Sequence, residues 1–545
     1  MTDFSDLVSI SAVSLILRHG PASGAKVVVF KFRKAVVIRF RSDIFYSASG
    51  WASALRVRYA LHGGLTPCRS PIDCLTQLLR EVTMNRFSLI TTLGKTLIAL
   101  SGGSMLLSPV THADDRGPRV ARVLWQDRAK DTLMWGEVHG GEKWIVSASA
   151  VKDFPKLDVE KQDLGQMKQA KGHLLVGVRD NDDGKFQSGW VSVDTGVREA
   201  PHGNHSHWNF VSSPSVKSSR LDADQGNPAH LYLDHDHFYM AHDKKNGFTH
   251  IDPKDLIAKP GKDCGTFFTG GGNHITMAAV DNTVCYATWN DGEGPNMGRV
   301  DVVNLKQTDG DKIAYSFRLP TGVIHGATAN SGRVFFAPED GVCWVDADPS
   351  LSKTADSVVV KHLSLGKEEG AEKPNRTGAF VNQRNWVLFT IGGPEGKSSL
   401  CLLDAKAAEP TVIKLPIDVA DGLTLTTPEV VLASGGKRYA FLFQDKQEGE
   451  LQEQLTIVDL DPNGDRNLSD AKIAKTIPVG ASQVDGHHGH HSVSFDSEGR
   501  LACFTNPGDG TIWIMTLKDL TIRAKSVVGG TPTAIVAIGA PEHKH

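Results

Sequence analysis

Histidine is concentrated in a few short segments of this chain. Of its 22 histidines, 19 follow Ala113, and the densest groups lie in His202–His207 and Asp485–His491. Imidazole nitrogen is the commonest side-chain ligand for zinc, copper and nickel in proteins. Because protonated histidines repel one another, such clusters are costly to keep without a use. Metal binding is therefore the first hypothesis, with zinc favoured and copper or nickel as alternatives.

The candidate ligands fall into two loop clusters and a set of histidines at strand starts. The pattern His-x-x-His-x-His places several nitrogens on one loop, and Asp485 adds a hard oxygen to the second cluster. Three or four such ligands at about 2.0–2.1 Å form a tetrahedral zinc site. Since only neutral imidazole binds a metal, we expect the affinity to fall as the pH drops through about 6.5. The candidate ligands are His202, His205, His207, His230, His274, His325, Asp485, His487, His488, His490 and His491.

The composition argues against several other kinds of site. The net charge of −3 gives no electrostatic ground for nucleic-acid binding. Neither a Gly-x-Ser-x-Gly elbow nor a Walker loop occurs in the sequence. The five cysteines after Ala113 include no Cys-x-x-Cys pair, so neither a thiolate zinc site nor haem attachment is indicated. Their apolar surroundings predict small buried side chains.

The first 113 residues differ in character from the rest. Residues 1–83 are basic and irregular, and we expect them to be a non-native or disordered extension. Residues 84–113 have the charged start, apolar centre and small terminal residues of a signal peptide. The apolar run, 96–107, is short for a membrane span. We therefore expect an exported chain, periplasmic or secreted, without a membrane span; the alternative is a disordered cytosolic arm with an incidental hydrophobic helix.

A repeated unit of short apolar strands fills most of the remaining sequence. Its third strands end near residues 194, 252, 304, 346, 404, 459 and 516, so the spacing is 42 to 58 residues. This period predicts an all-β fold, a β-propeller of seven blades over residues 166–538. Strand-like runs in residues 114–165 leave eight blades as the alternative. Val528–Ile538 is predicted to return to the incomplete copy that ends at Asp194 and close the ring, before a flexible tail of residues 539–545.

Aligning the repeats brings distant histidines into correspondence. The innermost strand opens with histidine in four of the six complete copies, and each such strand lines the central channel of a propeller. These four imidazoles are predicted to converge at one mouth of the channel, with both loop clusters beside them. The alternative is that these histidines have only a structural role and hold the first residues of each blade in place by hydrogen bonds. The four residues are His230, His274, His325 and His491.

The sequence resembles the AztD-type periplasmic zinc chaperones over roughly residues 165–535. The resemblance rests on His-Gly-Asn-His-Ser-His at 202–207, on Asn-Pro-Ala-His ending at His230, and on Ile-His-Gly-Ala at 324–327 before the Asp340-Gly341 turn. It implies a β-propeller that binds zinc in the periplasm. It also implies handover of the metal to the solute-binding protein of a zinc importer.

The leading hypothesis is therefore an exported metal-binding propeller that carries zinc and is not an enzyme. The first alternative is a metal-dependent hydrolase or lactonase, which would need an open coordination position and a general base such as Asp485. The second is a cofactor-free scaffold subunit of an exported complex, in which the histidines are structural or interface residues.

Overall fold

The structure is a computed structural model in which the chain divides into two compact units, Met1–His112 and Ala113–His545. The second unit is described over residues 117–541, except 204, 259–263, 308, 393–397, 447–449 and 486–487. The predicted signal peptide, the last four residues and His487 lie outside the described residues, and the nature of residues 1–83 stays a prediction. In the first unit the described backbone strands are Val13–Ser14, Lys31–Phe32, Val37–Ser47, Gly50–Leu61 and Gly64–Pro67.

Eight antiparallel sheets of four or five strands form the blades of a propeller in the described part of the second unit. The predicted β-propeller is confirmed, with the larger of the two expected blade numbers. From the innermost strand outward, blade 1 contains Pro532–Ile538, Arg119–Asp127, Thr132–His139 and Ile145–Val146 (with Ser149–Ala150), and blade 2 contains Gln162–Ala170, His173–Asp180, Ser188–Asp194 and Ser215–Asp222. In the same order, blade 3 contains Pro228–Asp234, His237–His242, Gly247–Ile251 and Thr266–Thr269, and blade 4 contains Met277–Val280, Val284–Thr288, Arg299–Asn304 and Ile313–Arg318. Blade 5 contains Ala327–Asn330, Arg333–Phe336, Val342–Asp346 and Lys361–Leu363, and blade 6 contains Val381–Gln383, Trp386–Ile391, Ser398–Asp404 and Val412–Ile417. Blade 7 contains Glu429–Leu432 (with Leu423–Leu425), Arg438–Lys446, Gln454–Asp459 and Lys472–Pro478, and blade 8 contains Val493–Phe495, Leu501–Asn506, Thr511–Thr516 and Thr521–Val527.

Helical structure is confined to short turns in the described residues. There is one α-helical turn, Asp255–Ala258, and there are three 3-10 turns, Asp243–Lys245, Ala355–Ser357 and Leu468–Asp470. None of the helices in the described ranges is long and apolar enough to cross a membrane. A separate two-stranded hairpin, formed by Val197–His202 and His205–Phe210, is inserted in blade 2.

The hydrophobic core lies between the blades rather than at one centre. Each pair of neighbouring blades in the described chain shares its own cluster of buried apolar side chains. Strands that lie between neighbouring blades are covered on both faces, and Ser188–Asp194 and Leu501–Asn506 are buried at every position. The five cysteines of these residues are buried and unbridged, which agrees with their predicted role as small apolar side chains.

The C-terminal strand closes the ring, as predicted, but at a different blade. Pro532–Ile538 pairs antiparallel with Arg119–Asp127, so blade 1 combines strands from both ends of the described part of the second unit. The copy that ends at Asp194 has its own innermost strand, Gln162–Ala170, and does not need a donated one. Closure in this way leaves no exposed sheet edge at the seam.

The strand register of each blade defines two faces of the propeller. In blade 2, Ala170 pairs with His173, His173 with Asp194, and Asp194 with Ser215, so these residues lie along one edge of the sheet. We call this edge, where innermost strands end, the end face. The opposite edge, where innermost strands begin, is the start face. Because the hairpin lies between Asp194 and Ser215, it belongs to the end face.

Candidate metal centre

The central channel contains a cavity of about 900 Å³ to which all eight blades contribute. Most of its lining comes from the innermost strands and from the segments that lead into them. Six histidines of the described chain line this cavity, and all belong to the segments in which the sequence predicted ligands. They are His230, His274, His325, His488, His490 and His491.

Three of these histidines converge from neighbouring blades 3, 4 and 5. The Nε2 atoms of His230 and His274 are 2.9 Å apart, and those of His274 and His325 are 3.2 Å apart. Ligand atoms of all three rings lie within 4.8 Å of one another. We call this group the channel triad. The sequence prediction that these three strand-start histidines meet in the channel agrees with this geometry.

The loop before blade 4 holds His274 in an unusual backbone conformation. His274 has a φ of +79°, in the left-handed region that residues with a Cβ rarely adopt. Strain of this kind costs on the order of 1–3 kcal/mol and is kept where the surrounding structure requires it. Here the conformation brings the ring to the centre of the triad, between His230 and His325.

Hydrogen bonds on the far side of two rings turn their lone pairs inward. The Nδ1–H of His274 donates to Asp243 Oδ2 at 3.2 Å, and that of His325 donates to the Gly378 carbonyl at 3.2 Å. Such contacts fix the tautomer in which Nε2 carries the lone pair, as in many metal sites. Although burial opposes ionisation of Asp243, the hydrogen bond from His274 lowers its pKa, so the acceptor is a carboxylate.

His230 is held neutral by its surroundings. Burial, followed by the charges of His274 and His325, lowers the pKa of His230 to about 3. Protonation of this ring therefore competes with a metal only far below the pH of about 6.5 expected for an ordinary histidine. The triad thus offers His230 as a neutral ligand across the physiological range.

The triad geometry suits a small tetrahedral cation. Nitrogen ligands about 2.0–2.1 Å from zinc lie roughly 3.3 Å apart at tetrahedral angles. The observed Nε2 separations of 2.9 and 3.2 Å need only a small expansion to reach this distance. Three imidazoles leave a fourth position for water or another ligand, and the same donor set also accepts copper or nickel.

His491, the fourth histidine predicted to join this group, does not. Its Nδ1 donates to Asp445 Oδ1 at 2.6 Å, and its Nε2 donates to the Gly480 carbonyl at 3.0 Å. Against the effect of burial, the contact with Asp445 raises the pKa of His491, and both ring nitrogens are engaged by oxygen acceptors. His491 lies apart from the triad because its partner, Asp445, lies on blade 7 and is distant in sequence; its ligand atom groups instead with those of Asp445 and Glu453, all within 4.8 Å of one another, so metal binding at His491 stays a prediction.

The other described candidates of this cluster, Asp485, His488 and His490, lie at the start face, as expected, but make different contacts. His490 Nδ1 bonds to Asp445 Oδ2 at 3.0 Å, and His488 lines the cavity while its backbone pairs with Asp485. The Asp485 side chain is 83% exposed and forms an ion pair with Arg128 at 3.5 Å. Asp485 is therefore not in the group of atoms that surrounds the triad.

The second compact histidine group lies on the hairpin of blade 2. His202 and His205 face each other across the turn, and the rings of His202, His205 and His207 have centroids 5.0–5.3 Å apart. Their ligand atoms also lie within 4.8 Å of one another. This hairpin group is on the end face, so the expectation that it would lie beside the triad at one mouth is wrong. The strand Ser215–Asp222, which reverses the chain once more, was not predicted from the sequence.

Two residues around the triad were not found from the sequence. Asp243 orients His274, and Gln166 donates from Nε2 to His230 Nδ1 at 3.1 Å while its Oε1 accepts from the Leu231 N–H at 3.0 Å. Both lie on different segments from the histidine that they contact. Without the blade arrangement, no spacing in the sequence links them.

Replacing Gln166 by glutamate is expected to raise the metal affinity of the triad by about tenfold. Groups that hydrogen-bond to a metal-binding histidine typically change the metal affinity by roughly 10–100-fold. The amide of Gln166 favours the tautomer of His230 that carries its proton on Nε2. A carboxylate would accept from both Leu231 N–H and His230 Nδ1–H, and so free Nε2 for a metal. Zinc calorimetry measures the change. Thr427→Glu, which adds the same charge to another wall of the cavity, is the control; equal gains in both variants would contradict the tautomer argument.

Comparison with known proteins gives matches in structure only. No family model matches the chain, and no curated protein matches its sequence. Two solved structures of AztD from Citrobacter koseri, one in the apo form, are similar with TM-scores of 0.52 and 0.53 at 14% and 15% identity. Each covers 78% of this chain and 100% of its own. The dihydro-heme d1 dehydrogenase NirN is less similar, with a TM-score of 0.42 at 12% identity over 81% of this chain and 78% of its own. The chain thus has an AztD-type β-propeller fold, which confirms at the level of the fold the resemblance seen in its histidine motifs.

Proposed function

We propose that this chain is an exported metal carrier that holds zinc at the channel triad. The observation that carries the proposal is the convergence of three Nε2 atoms from three blades, with the Nδ1 atoms of His274 and His325 bonded to acceptors. Neutral imidazoles in this arrangement match the ligand preference of zinc. Copper and nickel bind similar donors, and competition calorimetry distinguishes them.

A carrier fits these contacts better than a hydrolase. A hydrolytic zinc site needs a general base within reach of the metal-bound water. The base considered from the sequence, Asp485, pairs with Arg128, while Asp243 is engaged by His274 and by the Ile275 N–H. Turnover of a lactone or ester panel by the zinc-loaded protein would favour the hydrolase instead.

The hairpin group is the proposed second metal position, suited to exchange with a partner. His202 is exposed, whereas His205 and His207 are partly exposed, as are the three triad histidines that line the channel cavity. A solvent-facing group of imidazoles can release an ion to another protein without opening the propeller. In the periplasm that partner would be the solute-binding protein of a metal importer, in line with the resemblance in sequence.

Metal analysis of the exported protein tests the proposal. We expect the wild type to retain about one tightly bound zinc and to bind a second more weakly. The variant with His202, His205 and His207 all changed to alanine should lose only the weaker equivalent. His235→Gln, which removes an exposed histidine elsewhere on the end face, is the matched control. Wild-type protein without stoichiometric zinc at neutral pH would refute the proposed function.

A further inference from the structure

The chain that follows the innermost strand of blade 1 leaves the propeller beside the histidine hairpin. Pro532–Ile538 is an innermost strand, so its last residue lies at the end face, where the hairpin also lies. The next residue, Gly539, packs against the base of the hairpin. A Cβ at this glycine would lie 2.7 Å from Cζ of Phe210 and 3.5 Å from Cγ1 of Val197. The residues that follow Pro541 therefore start from the base of the hairpin.

Hydrogen bonds hold both the hairpin base and Gly539 in place. The Gly539 N–H donates to Ser497 Oγ at 2.9 Å, and its carbonyl accepts from the Ser497 N–H at 3.0 Å. Arg122 of blade 1 donates to the carbonyls of Thr195 and Ser212, which flank the hairpin, at 2.5 and 2.6 Å. The separation between the two segments is thus set by blades 1, 2 and 8.

The hairpin group offers three of the four ligands of a tetrahedral ion on one face. His202 pairs with His205 across the turn, and His207 lies two residues further along the same strand, so the three rings project from the same face of the hairpin. Among the described residues, no further histidine, cysteine or carboxylate places a ligand atom in this group. Since a closed zinc site has four protein ligands, the fourth would come from another segment.

Two further imidazoles of the sequence come within reach of this face. His543 and His545, which lie outside the described residues, follow Gly539 by four and six residues. An extended chain of these lengths spans at most about 13–14 Å and 20–22 Å. From Phe210 to His207 the hairpin advances by about 10 Å, and passing its edge to the histidine face adds about 5 Å, the spacing between strands. His545 covers this path, and His543 approaches its end.

We propose that the segment 542–545 folds over the hairpin group and supplies the fourth imidazole of a closed zinc site. This inference rests on the proposed function, since it completes the second metal position. A ligand joined to the same chain acts at an effective concentration on the order of millimolar, which strengthens binding without a new protein contact. A partner protein could replace this one ligand with its own while the three hairpin rings still hold the ion, which suits transfer.

Zinc calorimetry in a double-mutant cycle tests the inference. The double variant His543→Gln/His545→Gln should keep the channel zinc and bind the second zinc at least tenfold more weakly than the wild type. In protein whose three hairpin histidines are alanine, the same double change should have no effect, because the segment has no group to complete. Lys544→Gln, which alters the same segment but keeps both imidazoles, should bind the second zinc at least as tightly as the wild type.

The outcomes separate this inference from the proposed function. If the double variant binds the second zinc as tightly as the wild type, or loses the same zinc affinity when the hairpin histidines are alanine, the segment is not part of the hairpin site and the inference is wrong. In both cases the zinc bound by the wild type leaves the carrier function standing. Zinc in the wild-type channel alone would overturn the hairpin site and the inference with it. If the wild type binds no zinc, the proposed function fails first.

Discussion

Changing His274 to alanine is expected to abolish tight zinc binding in the channel. His274 is the central member of the triad, with Nε2 atoms of His230 and His325 at 2.9 and 3.2 Å. Removing a residue that only hydrogen-bonds to a metal ligand lowers the metal affinity by roughly 10–100-fold. Because His274 would bind the metal itself, we expect the zinc affinity to fall by more than about 100-fold. Zinc calorimetry at neutral pH measures this loss directly.

The control for this variant is His362→Gln. His362 lies on the outer strand of blade 5 and contacts Asp340 at 3.3 Å, away from the cavity lining. The His362→Gln variant should bind zinc with the same affinity as the wild type. Unchanged channel affinity in folded His274→Ala protein would contradict the site, whereas a circular dichroism spectrum that differs from the wild type would call for His274→Gln in its place.

Changing Asp445 to asparagine is expected to destabilise the propeller by about 3–5 kcal/mol, the range for breaking a buried ion pair. His491 and Asp445 are both buried, and Asp445 also accepts from His490 and from the His491 N–H. The variant would leave the His491 imidazolium uncompensated, or force the ring to become neutral. Denaturant unfolding followed by fluorescence measures the loss. Asp465→Asn, in an exposed loop of the same blade, is the control.

The pH dependence of stability follows from the same pair. The pKa of His491 is raised in the folded chain, so its contribution is complete below the unfolded value and is lost as pH rises through the folded value. The pKa of Asp445 is lowered despite burial, by its bonds to His490 and His491, so its contribution is lost as pH falls below its ordinary value. The difference in stability between wild type and Asp445→Asn should therefore be largest in mildly acidic solution. A difference that does not change with pH would contradict the ion pair.

Much of the fold could be predicted because the blades are repeats. Second strands covered on both faces, such as Leu501–Asn506, are buried at every position and begin with an apolar run, and they recur at a regular spacing. Blade 1 does not show this repeat pattern in the sequence, because its strands come from the two ends of the propeller sequence. The outer strand Ser215–Asp222 escaped it because its exposed positions are polar, and missing this strand placed the hairpin on the wrong face.

Only those residues of the site that occupy equivalent positions in the blades could be predicted from the sequence. His230, His274 and His325 occupy equivalent places in three consecutive blades, so aligning the repeats brought them together. The same alignment predicted His491 as a fourth ligand. Whether an imidazole offers a lone pair depends on its contacts across the blades, and for His491 the decisive contact, with Asp445, comes from another blade.

A crystal structure of the zinc-soaked protein, with anomalous scattering recorded on both sides of the zinc edge, shows whether the channel triad holds zinc. We expect one strong anomalous peak about 2.0–2.1 Å from the Nε2 atoms of His230, His274 and His325. A weaker peak at the hairpin group would agree with the second position. Zinc only at other residues, or a channel without an anomalous peak at saturating zinc, would contradict it.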